Sequence, residues 1–205
     1  MKEGEIMQRK KKVKLAKMED YKFTADWFGG NIPLWQGLFA HLAGQPNVKF
    51  LEIGSYEGRA VVWLLGNVLT HETARIDCVD VFFEEPDAKE TYEKRFDHNI
   101  KTALGQKKVN KIKAPSYDAL RKLELNSYDA IYIDGSHLSA DVLEDAVLAF
   151  RLLKSGGMMI FDDYEWNVHT DPLLTPQIAV DAFLRVFENH YELLHKGYQV
   201  AIRKN

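Results

Sequence analysis

Val48-Lys49-Phe50-Leu51-Glu52-Ile53-Gly54-Ser55-Tyr56-Glu57-Gly58 is the stretch whose reading decides the fold. Its first six residues, four of them apolar, make a run of strand length. Its last five hold two glycines and lead into Val61, Leu64, Leu65 and Val68, which repeat at helical spacing. Strand, glycine loop and helix in that order open a β-α unit, and the alternation continues downstream. Residues 75–80 read as a second strand. Tyr92, Phe96, Ile100 and Ala103 mark the next helix, with Gly105 expected in the C′ role that closes it. A third strand spans 109–113, and a short helix over 115–123 has Pro115 near its start.

Residues 128–134 form the fourth strand, followed by a helix through Val142, Ala146, Ala149, Phe150 and Leu153. The turn Ser155-Gly156-Gly157 leads into a fifth strand over 158–161. Ile178, Ala182, Phe183, Val186 and Phe187 mark a last helix. The tail reads as two strands, 191–194 and 198–202, around the Lys196-Gly197 turn, an antiparallel hairpin. Five β-α units predict an α/β domain with a mostly parallel sheet and helices on both faces. Ligands of such sheets collect at the carboxyl ends of the strands, so the last residue of each strand and the first of each loop carry the functional reading.

Within 205 residues this is one ordinary domain, placed at 19–205 behind a basic, flexible segment over 1–18. Net charge is -3, yet residues 1–17 hold seven Lys/Arg against Glu3 and Glu5, so the body is acidic. The cluster Arg9-Lys10-Lys11-Lys12 reads as a solvated, frayed terminus rather than a nucleic-acid arm. No apolar run approaches the roughly 20 residues of a membrane span, and the Lys-rich start lacks the apolar stretch of a signal peptide. Cys78, the only cysteine, rules out an internal disulfide and reads as a buried thiol. A cytoplasmic protein is expected, with a small-molecule partner and room for a homo-oligomer.

The loop points to a nucleoside. Gly54 lets a ligand approach the main chain, and Gly58 opens a helix whose free N–H groups favour a carboxylate or phosphate. Asp80, ending the second strand, is placed to accept from both ribose hydroxyls. The pattern is E-x-G-x-x-x-G, with Glu52 where a dinucleotide site carries its first glycine. A carboxylate there repels a pyrophosphate and pairs with an ammonium. Ribose, carboxylate and ammonium together describe an amino-acid nucleoside: S-adenosylmethionine fits and NAD fits poorly. Ser55 and Tyr56 in the loop, Val81 after Asp80, and Asp134 ending the fourth strand complete the expected contacts.

LEIGSYEGRA, IDCVDVF, YDAIYIDGSH and LLKSGGMMIFDDY, in this order, resemble the methyltransferases grouped as family 24. Within class I the chain looks related to metal-dependent O-methyltransferases of the catechol and macrolide-sugar type. The resemblance covers roughly residues 23–203. It implies a Rossmann-like, seven-stranded sheet in the order 3-2-1-4-5-7-6 with an antiparallel last strand, and it places Ser116 near the adenine, where many such enzymes carry an acid instead.

Three carboxylates, Asp134, Asp162 and Asp163, end neighbouring strands, and unneutralised they would raise one another's pKa. A hard divalent cation answers them. In the resembling enzymes such side chains hold a Mg²⁺ that orients the acceptor hydroxyl and lowers its pKa. His137 follows in Asp134-Gly135-Ser136-His137, and the resemblance supports a general base at this place; a substrate hydrogen bond or a helix cap is the other use of it. His41, His71, His98, His169, His190 and His195 have no comparable setting. Phe23, Trp27, Phe28, Pro33 and Trp35 either cover the acceptor pocket or pack a leading helix, packing being favoured, and Tyr164 and Trp166 are expected in the pocket, bordered by the loop 167–176. The implied activity is methyl transfer to a hydroxyl of a sugar- or phenol-like acceptor. Its rivals are a metal-independent N- or O-methyltransferase, an NAD(P)-dependent oxidoreductase, and a non-catalytic nucleoside-binding protein.

Overall fold

The computed structural model describes residues 16–83, 90–166, 168 and 171–205. The basic cluster at the start of the chain lies outside them. Seven strands form one sheet: β1 (Lys49–Ile53), β2 (Arg75–Asp80), β3 (Val109–Lys113), β4 (Tyr128–Ile133), β5 (Leu153–Phe161), β6 (Tyr191–Lys196) and β7 (Val200–Lys204). Their order is β3-β2-β1-β4-β5-β7-β6, as the resemblance implies. The first five strands run parallel, while β7 pairs antiparallel with both β5 and β6. Strand order reverses between β1 and β4, which opens the crevice where such sheets bind ligands.

Alternate side chains along a strand face opposite sides, and here each side has its own core. Leu51, Ile53, Ile131, Ile133, Met159 and Phe161 face α5 (Ser139–Leu152) and α6 (Pro176–Val186). Phe50, Ala130, Tyr132, Met158 and Ile160 face α1 (Ile32–Leu38), α2 (Arg59–Asn67) and α3 (Tyr92–Thr102). Covering both faces explains why the central strands read as near-continuous apolar runs instead of alternating ones. Trp35, fully buried on the second face, packs against Phe28, Phe39 and Tyr132. Full burial of one such large side chain contributes about 1.5–3 kcal/mol. A short α4 (Ser116–Ala119) follows β3 and passes into a 3₁₀ turn over Leu120–Lys122. No helix among the described residues is long and apolar enough to cross a membrane.

Two local expectations are corrected. Leu104, not Gly105, takes the left-handed C′ position after α3, with φ 57°. Its N–H bonds Lys101 O at 3.0 Å, while Gly105 N bonds Ile100 O at 2.8 Å, a complete Schellman pair. Gly105 is needed for space instead, since a Cβ there would come 2.5 Å from Leu65 Cδ1. The turn at Ser155-Gly156-Gly157 lies inside β5, not before it. Tyr128 pairs with Leu153 and Ala130 with Met158, so the intervening residues bulge out around Gly156 at φ 79°.

Candidate active site

The ladder carries each strand end into one crevice. Gly54 N bonds Val79 O, Asp134 N bonds Ile53 O, and Asp162 N bonds Ile133 O, at 2.8, 2.8 and 2.9 Å. At Gly54, φ is 87° and an added Cβ would sit 1.9 Å from Asp134 O, so β1 and β4 approach too closely for any side chain. The loop beyond is held from the neighbouring strand. Asp80 Oδ2 accepts from Ser55 N and Tyr56 N, both at 2.8 Å, and its Oδ1 accepts from Phe82 N at 2.6 Å. Those bonds hold Tyr56 at φ 48°. Asp80, expected only at the ribose, therefore also shapes the loop.

Glu52 is 1% exposed, and its Oε2 has no hydrogen-bond partner, nor has Ser55 Oγ. Burial, with the Asp80 charge adding to it, raises the Glu52 carboxyl to a pKa of about 8. An enclosed carboxyl with one unanswered oxygen fits a ligand ammonium. Gly58, at φ 77°, caps α2 and leaves that helix's first N–H groups open to the crevice. Val81, half exposed, and Ser116 also line the crevice, as does Asp145, which burial pushes up to about 6.

The acidic strand ends meet around Tyr132. Its hydroxyl lies 2.9 Å from Asp134 Oδ2 and hydrogen-bonds Asp162 Oδ2 as well. Gln199 Nε2 donates to that same Asp162 oxygen at 3.0 Å and is itself held by Trp35 Nε1 through its Oε1 at 2.8 Å. Asp162 Oδ1 accepts from Asp163 N. Asp162 is thus a hydrogen-bond hub. The group with ligand atoms within 4.8 Å of one another is Asp134, His137 and Asp163. His137 Nε2 is 2.9 Å from Asp163 Oδ2, and Tyr198 OH donates to Asp163 Oδ1 at 2.7 Å. Asp163 holds this pose at φ 58°.

Burial and the charges of Asp162 and Asp163 push Asp134 well above the usual carboxylate range, and burial raises Asp162 too. For Asp163 burial acts upward, but the bonds from His137 and Tyr198 outweigh it and the net shift is downward. The Asp163 hydrogen bond raises His137.

One cavity of about 670 Å³ is lined by the expected site residues except Gly58, whose neighbours Glu57 and Arg59 line it; the size lies within the usual range for small-molecule sites. Of the leading aromatics, Phe23, Trp27 and Phe28 line it, whereas Trp35 belongs to the core. Trp166 lines it beside His137, with ring centroids 4.6 Å apart. Tyr164 does not: it is buried and turned to Asp181 at 3.0 Å. The loop 167–176 is described only in part, and none of its described residues lines the cavity. Sequence reading missed Tyr132, Gln199 and Tyr198, because nothing local marks a strand tyrosine or a hairpin residue as a partner of distant aspartates.

Known proteins share the fold and part of the sequence. Uncharacterized protein R132 of Acanthamoeba polyphaga mimivirus is 25% identical over 162 residues, 74% of this chain and 70% of its own length. The O-methyltransferase from Bacillus cereus, solved with S-adenosylhomocysteine, superposes with a TM-score of 0.64 at 16% identity, covering 91% of this chain and 85% of its own. MycE of the mycinamycin pathway, solved with Mg and S-adenosylhomocysteine, gives 0.58 at 16% identity over 84% of this chain and 48% of its own. The methyltransferase-domain family 24 matches residues 51–164, a span that runs from the Glu52 loop through Asp163. With that match over more than half its length, the chain belongs to family 24 of the class I, S-adenosylmethionine-dependent methyltransferases.

Proposed function

We propose that the protein methylates a hydroxyl of a small-molecule acceptor, with a divalent cation held by Asp134 and Asp163 and with His137 as the base. The observation that carries this reading is the Asp134–His137–Asp163 group, which shares one cavity with the cofactor loop. Bound S-adenosylmethionine supplies an electrophilic methyl on sulfonium. Glu52 would take its ammonium, the α2 amino terminus its carboxylate, and Asp80 its ribose, beside Val81, Ser116 and Asp134. A divalent cation such as Mg²⁺ would supply Lewis acidity, and oxygen-rich Asp134 and Asp163 suit it, with His137 in ligand range.

The chain's own work is positioning and proton transfer. Trp27, Phe28 and Trp166, which line the cavity, would border the acceptor and hold it toward the methyl donor. Attack by the acceptor oxygen on the methyl carbon would break the carbon–sulfur bond, leaving its electron pair on sulfur. The hydroxyl proton passes to His137, whose ring Asp163 orients. A fully buried Cys78 thiol suits a cytoplasmic setting.

A second reading rests on the same 2.9 Å contact: an Asp163–His137 pair that serves as a general base without metal. Calorimetric titration with S-adenosylhomocysteine and NAD, each with and without Mg²⁺, tests the assignment. S-adenosylhomocysteine should bind and NAD should not. Asp80→Ala should weaken S-adenosylhomocysteine by roughly 1.5–3 kcal/mol, the scale of hydrogen bonds to a charged group. Unchanged affinity in the folded variant would mean that the ribose is held elsewhere.

A further inference from the structure

Only two basic side chains among the described residues line the cavity, Arg59 and His137, against nine carboxyl groups. Both are already engaged. Arg59 Nη2 lies 2.6 Å from Asp26 Oδ2, with its guanidinium over the Phe23 ring at 4.8 Å, and His137 is bonded to Asp163. The cations paired with other lining carboxyls are committed too: Arg95 to buried Glu57 at 3.0 Å and Arg121 to Glu144 at 2.5 Å. Among the described residues the cavity wall therefore offers an incoming anion no uncommitted Arg or Lys side chain.

The acceptor side adds aromatic rings to this field. Trp27 is 80% exposed while lining the cavity, so its ring meets whatever occupies the mouth, and Trp166 and Tyr198 line it beside His137 and Asp163. Ring faces beside carboxylates attract cations and give an anion no partner. A phosphate or carboxylate recognition site would instead present a free Arg or Lys fork.

We infer that the acceptor carries no anionic group, and that one bearing an ammonium is favoured over a neutral or acidic analogue of the same shape. This rests on the small-molecule acceptor reading above and narrows it to a hydroxylated amine or a neutral polyol or phenol. Acceptors carried on a phosphate-bearing handle are excluded.

The test uses one ring diol with three side-chain charges: dopamine, 4-methylcatechol and 3,4-dihydroxyphenylacetate, with a hydroxycinnamoyl-CoA thioester as a polyanion. Each is titrated into full-length protein loaded with S-adenosylhomocysteine and Mg²⁺, and each is assayed for methylation with S-adenosylmethionine. The amine should bind at least tenfold more tightly than the carboxylate, with the neutral compound between them and the thioester weakest. Raising the salt concentration should narrow the spread, as screening reduces the field. Trp27→Ala should reduce the amine's advantage over the neutral compound. Equal binding, a preference for the carboxylate or thioester, or no binding by any of the four overturns the inference. The ordered binding without methylation of any compound would sustain it and defeat the hydroxyl-transfer reading instead.

Discussion

Glu52 and Gly54 sit two residues apart and meet opposite demands, one for charge and one for space. An enclosed carboxyl with no counter-charge holds its proton, which is why its pKa rises to about 8. A folded-state pKa above the usual carboxylate value means that this group's contribution to stability is complete at low pH. It is lost as pH climbs from the carboxylate range toward about 8. A ligand ammonium favours the ionised form, so binding should expel a proton. S-adenosylhomocysteine affinity should therefore rise with pH between about 5.5 and 7, and titrations in buffers of different ionisation enthalpy should register proton release. Glu52→Gln should flatten both responses; a pH dependence that survives in this variant would remove Glu52 from the ammonium site. Gly54→Ala is expected to be severe, because the new Cβ meets a backbone oxygen at 1.9 Å at positive φ. A loss of about 3 kcal/mol or more is expected, among the larger effects of single substitutions, read as a shift in the denaturant midpoint together with loss of cofactor binding.

At the scale of elements, the segment leading to α1 is fastened to the cofactor loop and to α3 by two buried side chains. Glu57, 1% exposed, accepts from Thr24 N and Thr24 Oγ1, both at 2.7 Å, and from Arg95 Nη1 at 3.0 Å. Asn99 on α3 accepts from Lys22 N at 2.7 Å and donates to Lys22 O and Glu57 O at 3.0 and 2.8 Å. Residues 22–28 are thereby laid along the mouth of the cavity, with Phe23, Trp27 and Phe28 toward it. Removing one partner of a buried ion pair leaves the other uncompensated, a loss of about 3–5 kcal/mol. Glu57→Ala should lower the melting temperature and raise amide exchange at residues 22–28 well beyond that of β1. Uniform exchange across the chain would show that the segment has no separate attachment. Sequence reading left these aromatics between the acceptor pocket and the core; Phe23 and Trp27 line the cavity, Trp35 lies in the core, and Phe28 does both. What divides them is Glu57 and Asn99, whose partners lie 33 to 77 positions away and leave no periodic trace.

Across the whole molecule, the sheet order and the crevice were legible because alternating strand and helix periods are local signals, and right-handed crossovers leave few arrangements. The acids at three strand ends were legible for the same reason. Their division of labour was not, since it depends on Tyr132, Gln199 and Trp35 converging on Asp162 from elements far apart in sequence. That division decides what the metal test should show. We propose Asp134 and Asp163, grouped with His137, as the holders of a divalent cation, whereas Asp162 is bonded by Tyr132 and Gln199. EDTA should abolish methyl transfer and Mg²⁺ should restore it, with S-adenosylhomocysteine affinity largely kept. Asp163→Asn should lose most of the activity at little cost in stability, while Asp162→Asn should lose stability as well, because its amide would oppose the donors of Tyr132 and Gln199. His137→Ala should lower turnover by roughly 10²–10⁴. If it is the base, the loss should be greatest above its raised pKa, where the wild-type ring is neutral and able to accept a proton. Full activity in EDTA with the His137→Ala loss intact would leave the Asp163–His137 pair as the whole of the catalytic apparatus, and the cation would then have no part in the reaction.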